Sequence, residues 1–150
     1  MTRKIAAPLV VGMATRFAFS RHAIFRLVSQ IRIHYADSPL SEGKAGQVHG
    51  GDRLPWSSTL DNFAPLRSLD WQLHIYGDAT EDMRFACASK RLDLRLFSWN
   101  DEAKKAGFER DAAYLVRPDG HVALAMPEQN VSELDSFVHR HVLKFETAAQ

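Results

Sequence analysis

The sequence predicts an α/β domain whose elements follow in the order strand, helix, strand, helix, strand, strand, helix. Three observations carry that expectation. Short runs rich in β-formers alternate apolar with polar residues between Trp71 and Met126. Helix-start signatures stand between or after them: Asp78 with Glu81, Asn100 with Asp101 and Glu102, and Asn130 with Glu133. Finally, Arg117-Pro118-Asp119-Gly120 joins two apolar runs with room for a turn and nothing more. At 150 residues the chain fits a single core.

Residues 1–36 read as an N-terminal helical segment. From Ser20 to Ile33, Ala23, Ile24, Leu27, Val28 and Ile31 recur at helical spacing, with Arg21, Arg26 and Gln30 between them. The preceding "APLVVGMATRFAF" is apolar without clear caps, as though it were the remnant of a larger packed structure. Residues 37–56, "DSPLSEGKAGQVHGGDRLPW", are rich in glycine, serine, proline and charge and read as a surface linker. The domain proper is then expected over 57–145.

Within it, "WQLHIYG" (71–77) is the first strand, and Asp78 caps a helix from about Ala79 to Lys90. "LDLRLFSW" sets Leu92, Leu94 and Leu96 against Asp93, Arg95 and Phe97 as a second strand. Asn100 opens a short helix that ends near Gly107. "AAYLVRPDGHVALAM" supplies a hairpin in which proline presets φ and Gly120 closes the turn. Asn130 caps a last helix whose Val131, Leu134, Phe137, Val138 and Val142 share a face.

Charge and composition exclude several roles. The net charge of +1 creates no global field toward nucleic acid or acidic membranes, although Arg3, Lys4, Arg16, Arg21, Arg26 and Arg32 stand in the first 34 residues without an acid. That cluster alone would also suit a transit peptide, an RNA-binding arm or a membrane-surface helix. Arg16 and Arg21 interrupt the N-terminal apolar stretch short of the roughly 18 to 20 residues a membrane span needs. Cys87 stands alone, which rules out an intramolecular disulfide, a CxxC pair and a paired-cysteine zinc site. A reducing, cytoplasmic setting is expected.

The element order is that of a thioredoxin-like fold, a central mixed sheet flanked by helices. "QIRIHYADSPLSEG", "GDRLPW" and "YLVRPDGHVA" resemble, in order and spacing, the C-terminal end of FAD-dependent aromatic-ring hydroxylases, the phenol hydroxylase-like FAD monooxygenases. The resemblance covers roughly residues 17 to 145. It departs after the hairpin turn, where relatives typically continue with Trp-Arg and this chain has Leu124-Ala125-Met126. It implies a C-terminal accessory or structural domain that lacks the FAD- and substrate-binding domain and is not catalytic alone. FAD is then expected only in a full-length relative or a partner. Such a chain would be a truncated gene product or a subunit docking on a separately encoded flavoprotein. The alternative is a non-catalytic homo-oligomeric or partner-docking thioredoxin-like module, with Leu124, Met126 and Phe137 as contacts.

Residue by residue, the chemistry reads as structural, and no catalytic, cofactor-binding or metal-binding residue is assigned. No GxGxxG run is present to bring backbone against a pyrophosphate. Gly51-Asp52 reads as a turn and Gly77-Asp78 as a strand end with an N-cap, rather than as flavin motifs. A dithiol enzyme of this fold needs a thiolate at the start of the first helix, where "GDATEDM" offers acids and no sulfur but Met83. The cis-proline of redox members is replaced by Asp111-Ala112, and Cys87, among Phe85, Ala86 and Ala88, reads as a small buried side chain. His139 and His141, two apart, read as solvated rather than as a metal pair, and His121 as facing solvent or capping the hairpin. Trp56, Trp71 and Trp99 read as packing residues, not a stacking platform. The Asn130-Val131-Ser132 sequon means little at a helix cap in a cytoplasmic chain.

Overall fold

The computed structural model describes residues 39–145, all within one compact unit, 33–150. The helix expected over 20–33 and the rest of the 1–36 segment lie outside the described residues. The architecture is an α/β domain: a six-stranded mixed sheet with three helices. In chain order the strands are β1 (Glu42–Ala45), β2 (Val48–His49), β3 (Gln72–Tyr76), β4 (Asp93–Phe97), β5 (Ala113–Val116) and β6 (Val122–Met126). The helices are α1 (Glu81–Lys90), α2 (Asp101–Lys105) and α3 (Val131–Arg140), with a 3-10 turn at Ala64–Ser68.

Across the sheet the order is β2-β1-β6-β5-β3-β4. β3 runs parallel to β4 and antiparallel to β5, β5 antiparallel to β6, and β1 parallel to β6. The strand and helix order expected after residue 70 is therefore present, and two strands precede it. Residues 42–49, expected to belong to a linker, are part of the sheet. The glycines that give this stretch the look of a loop are what let it lie there: Gly43 pairs with Ala125 at φ +77°, and a Cβ would overlap the Ala125 carbonyl oxygen. Ala45 and Val48 then bury their side chains.

Each face of the sheet carries its own core. On one, Leu73, Ile75, Leu115, Leu124 and Met126 pack against Met83 and Cys87 of α1 and Leu134 and Phe137 of α3. On the other, Tyr76, Tyr114, Val116 and Ala125 meet Ala45, Val48, Leu54, Ala103 and Phe108. A stack of Phe97, Tyr76 and Phe108, with centroids 5.1 and 3.7 Å apart, runs through this second layer. Leu124, Met126 and Phe137, expected as contacts for a partner, are core residues at most 1% exposed. Strand alternation puts Leu124 and Met126 on one face, and helical spacing does the same for Phe137, without telling which face is covered.

The caps agree with the sequence twice and differ once. Asn100 accepts from the Ala103 N–H at 2.9 Å and Asn130 from Glu133 at 3.2 Å. α1 starts two residues later than expected, because Thr80 and not Asp78 is the cap, accepting from Met83 N–H at 3.2 Å. Val142 leaves the apolar face of α3: the helix ends at Arg140, Val142 takes φ 51°, and its side chain is exposed.

Candidate functional site

The chemistry-bearing residues gather where β3 hands over to α1 and the loop before β5 passes by. Asp111 sits at φ 61°. It donates its N–H to the Tyr76 carbonyl at 3.0 Å and accepts the Asp78 N–H on Oδ1 at 2.8 Å. Gln129, just ahead of α3, ties the same place together: its amide donates to the Asp78 and Asp111 carbonyls, both at 2.7 Å, and its Oε1 accepts the Thr80 N–H at 2.8 Å. Backbone groups of Asp78, Thr80 and Asp111, from two segments, are thus satisfied by two side chains. The first turn of α1 adds Glu81 and Asp82. A thiolate brought here would meet carboxylates, and among the described residues the sulfurs of α1, Met83 and Cys87, are buried in the core.

Removing the tie has a defined cost. Gln129→Ala is expected to destabilise the domain by about 1–2 kcal/mol, because three hydrogen bonds are lost at a site water can partly reach. Thermal denaturation measures it, with faster hydrogen exchange of the Thr80 amide as the local signature; an unchanged melting temperature contradicts the tie.

A second polar group lies beneath the other layer. Gln72, His74 and Tyr76, on one face of β3, are all 0% exposed. Gln72 Nε2 donates to the Pro65 carbonyl at 2.6 Å, which turns its Oε1 toward His74 Nε2 at 2.8 Å. His74 therefore carries its proton on Nε2, and Nδ1 has no hydrogen-bond partner. Burial, reinforced by the Arg95 guanidinium, drives this imidazole down to about 3. Asn62 completes the group, accepting from Ser57 N–H at 3.0 Å and donating to the Pro55 carbonyl and the Tyr76 hydroxyl, both at 2.8 Å. Burial holds the Tyr76 phenol far above its ordinary range, with the Asn62 hydrogen bond acting the other way. Neutral and sealed, these groups organise the interior rather than exchange protons with a ligand.

The residues of "WQLHIY" alternate as the sequence reading has it, and all five β3 residues are buried. Alternation reports a difference between faces and cannot tell water from a polar interior. Asp111, Gln129 and His74 consequently carried no sequence signal beyond their residue types.

Cys87 is 1% exposed, and burial pushes its thiol up to about 11 against the pull of Lys90. Asp52 accepts the His49 N–H at 2.9 Å while Gly51 N–H donates to the Val122 carbonyl at 2.7 Å, so that pair builds a turn. His139 is exposed, but His141 is not the solvated residue expected: with 12% of its side chain exposed, its Nε2 lies 3.2 Å from Glu42 Oε1, beside Arg140, which grips both Glu42 oxygens at 2.6 and 2.7 Å. Partial burial works to raise the Glu42 carboxyl, yet hydrogen bonds from Arg140 and His141 outweigh it and hold it below its ordinary value. His121 is also mostly covered, 3.3 Å from Asp119 across the hairpin turn. Trp71 packs edge-on to Phe145 in one layer and Trp99 packs in the other, while Trp56 is exposed, so the three share no platform.

An open groove of about 650 Å³ lies between α1 and α3, lined by Asp82, Phe85, Lys90, Gln129 and Asp135, with Lys90 and Asp135 paired at 2.6 Å. Among the described residues no group of three or more histidines, cysteines or acids is placed to hold a metal, and no helix is long and apolar enough to cross a membrane. No protein-family model, curated protein or solved structure matches the chain.

Proposed function

We propose that this chain is a thioredoxin-like accessory domain, akin to the C-terminal domain of FAD-dependent aromatic-ring hydroxylases, and non-catalytic on its own. The observation that carries the reading is the arrangement of the last four strands. The run β3-α1-β4-α2-β5-β6-α3, with neighbours β4-β3-β5-β6, supports the thioredoxin-like reading, since such a core would have this order. The place where redox members of that fold keep their thiolate holds instead the Asp78–Asp111–Gln129 tie. The domain then contributes surface and stability, and the flavin chemistry belongs to a partner or parent polypeptide. A lone, buried thiol suits a cytoplasmic setting.

The test is flavin binding. The purified chain is expected to leave the absorption bands of added FAD unshifted and to elute colourless after desalting. A yellow protein with stoichiometric FAD would sink the reading. A second reading, a non-catalytic self-associating module, is favoured by the open edge of β4.

A further inference from the structure

β4 closes one end of the sheet: β3 lies on one side, and no strand of the described residues lies on the other. The Phe97 carbonyl accepts the Gly77 N–H at 2.8 Å. By the alternation of an extended strand, the backbone groups of Asp93 and Arg95 also face β3, while those of Leu94 and Leu96 face the open edge. Such a row of unpaired donors and acceptors is a template for another strand.

Charge on an edge strand ordinarily discourages pairing. Here it is arranged to match itself. Residues 92–96 read Leu-Asp-Leu-Arg-Leu. Laid antiparallel on a second copy about Leu94, the segment sets Leu94 against Leu94, Leu92 against Leu96, and each Asp93 against the other copy's Arg95. Asp93 and Arg95 already pair in-strand at 2.6 Å, with 28% and 43% of their side chains exposed, so they stand on one face ready to meet their counterparts. Leu96, 42% exposed, would gain apolar cover on the opposite face.

We propose that two copies of this chain associate through antiparallel pairing of β4 about a two-fold axis at Leu94, joining their six-stranded sheets into one. The register follows from both chemistry and backbone. Because the outward groups belong to Leu94, the Leu94 pair is of the hydrogen-bonded kind, each N–H donating to the other's carbonyl. Leu96 N–H then reaches the facing Leu92 carbonyl, whose own N–H is already given to the Cys87 carbonyl at 2.9 Å. Slipping the axis to Asp93 or to Arg95 brings like charges face to face, so the neighbouring registers are disfavoured as well as unmatched. The occupant is a second copy rather than another protein because the complement of this strand is the strand itself.

The dimer deepens the self-associating reading and is independent of the flavoprotein one, since sedimentation and flavin titration report on them separately. Sedimentation equilibrium of the full chain is expected to show a concentration-dependent dimer. Asp93→Arg and Arg95→Asp each place two like charges opposite one another and should weaken dimerisation roughly tenfold or more. The double variant Asp93→Arg/Arg95→Asp recovers the complementarity and should recover the dimer. An equimolar mixture of the two single variants should form the heterodimer that neither forms with itself. A wild-type chain that stays monomeric at every concentration overturns the proposal, as do single variants that dimerise as well as wild type. So does a double variant that is folded by circular dichroism yet monomeric.

Discussion

Acidification from pH 6.5 toward about 3 is expected to remove roughly 4 kcal/mol of stability through one side chain, His74. The ordinary imidazole takes up its proton near 6.5, and the buried one holds off until about 3. Across that window the unfolded chain binds a proton that the folded chain refuses, so stability falls by about 1.4 kcal/mol for each unit of falling pH. Above 6.5 the contribution is complete and flat; below about 3 it is gone. The cause is desolvation first, since His74 is fully buried with Phe97 5.0 Å from its ring, and the Arg95 guanidinium second. For a domain of ordinary stability, about 5–15 kcal/mol, this is a large share.

Urea unfolding of wild type and His74→Gln over that pH range measures the effect. The glutamine keeps a donor for Gln72 and removes the titration, so its stability should fall less steeply with acid. Parallel profiles would refute the assignment. Should the variant fold poorly, the His74 ring in wild type still decides the matter by NMR, through the absence of a protonation shift above about pH 4.

Gly43→Ala is expected to cost about 3 kcal/mol or more, a large effect for one methyl group. Two causes combine. Gly43 stands at φ +77°, where a side chain is strained, and the added Cβ would enter the space of the Ala125 carbonyl, a backbone atom that cannot rotate aside. β1 should separate from β6, releasing the hairpin to β2 and the grip of Arg140 and His141 on Glu42. Chemical denaturation gives the energy, and hydrogen exchange along β1 and β6 gives the location. A variant within about 0.5 kcal/mol of wild type would show that β1 contributes little to the sheet.

These two residues also show where sequence reasoning reached its limit. Gly43 counted toward a linker, because glycine, serine and charge within 37–56 are what loops contain. The requirement it meets is a close approach to β6, far away in the chain, and no local pattern encodes that. His74 counted as the polar half of an alternating strand, since alternation is blind to a second layer formed by the Asn62 and Ser68 region. Asp78 is likewise not the cap: its N–H and carbonyl are held by the distant Asp111 and Gln129, and Thr80 opens the helix.

The elements after residue 70 were legible because their determinants are local. Asn100 and Asn130 cap their own helices, Pro118-Asp119-Gly120 turns its own hairpin, and the leucines of β4 alternate within a single strand. Cys87 was legible as buried because its neighbours are small or apolar. By itself, then, the sequence determined the strands and helices of the 71–140 core, their order, and a thiol-free start to α1. Only the tertiary structure decided that 42–49 completes the sheet, that both sides of β3 are sealed, and that Asp111 and Gln129 meet at the head of α1. The reason is one of range: caps, turns and alternation act over a few residues, whereas burial and strand pairing are properties of segments distant in the chain and adjacent only once it has folded.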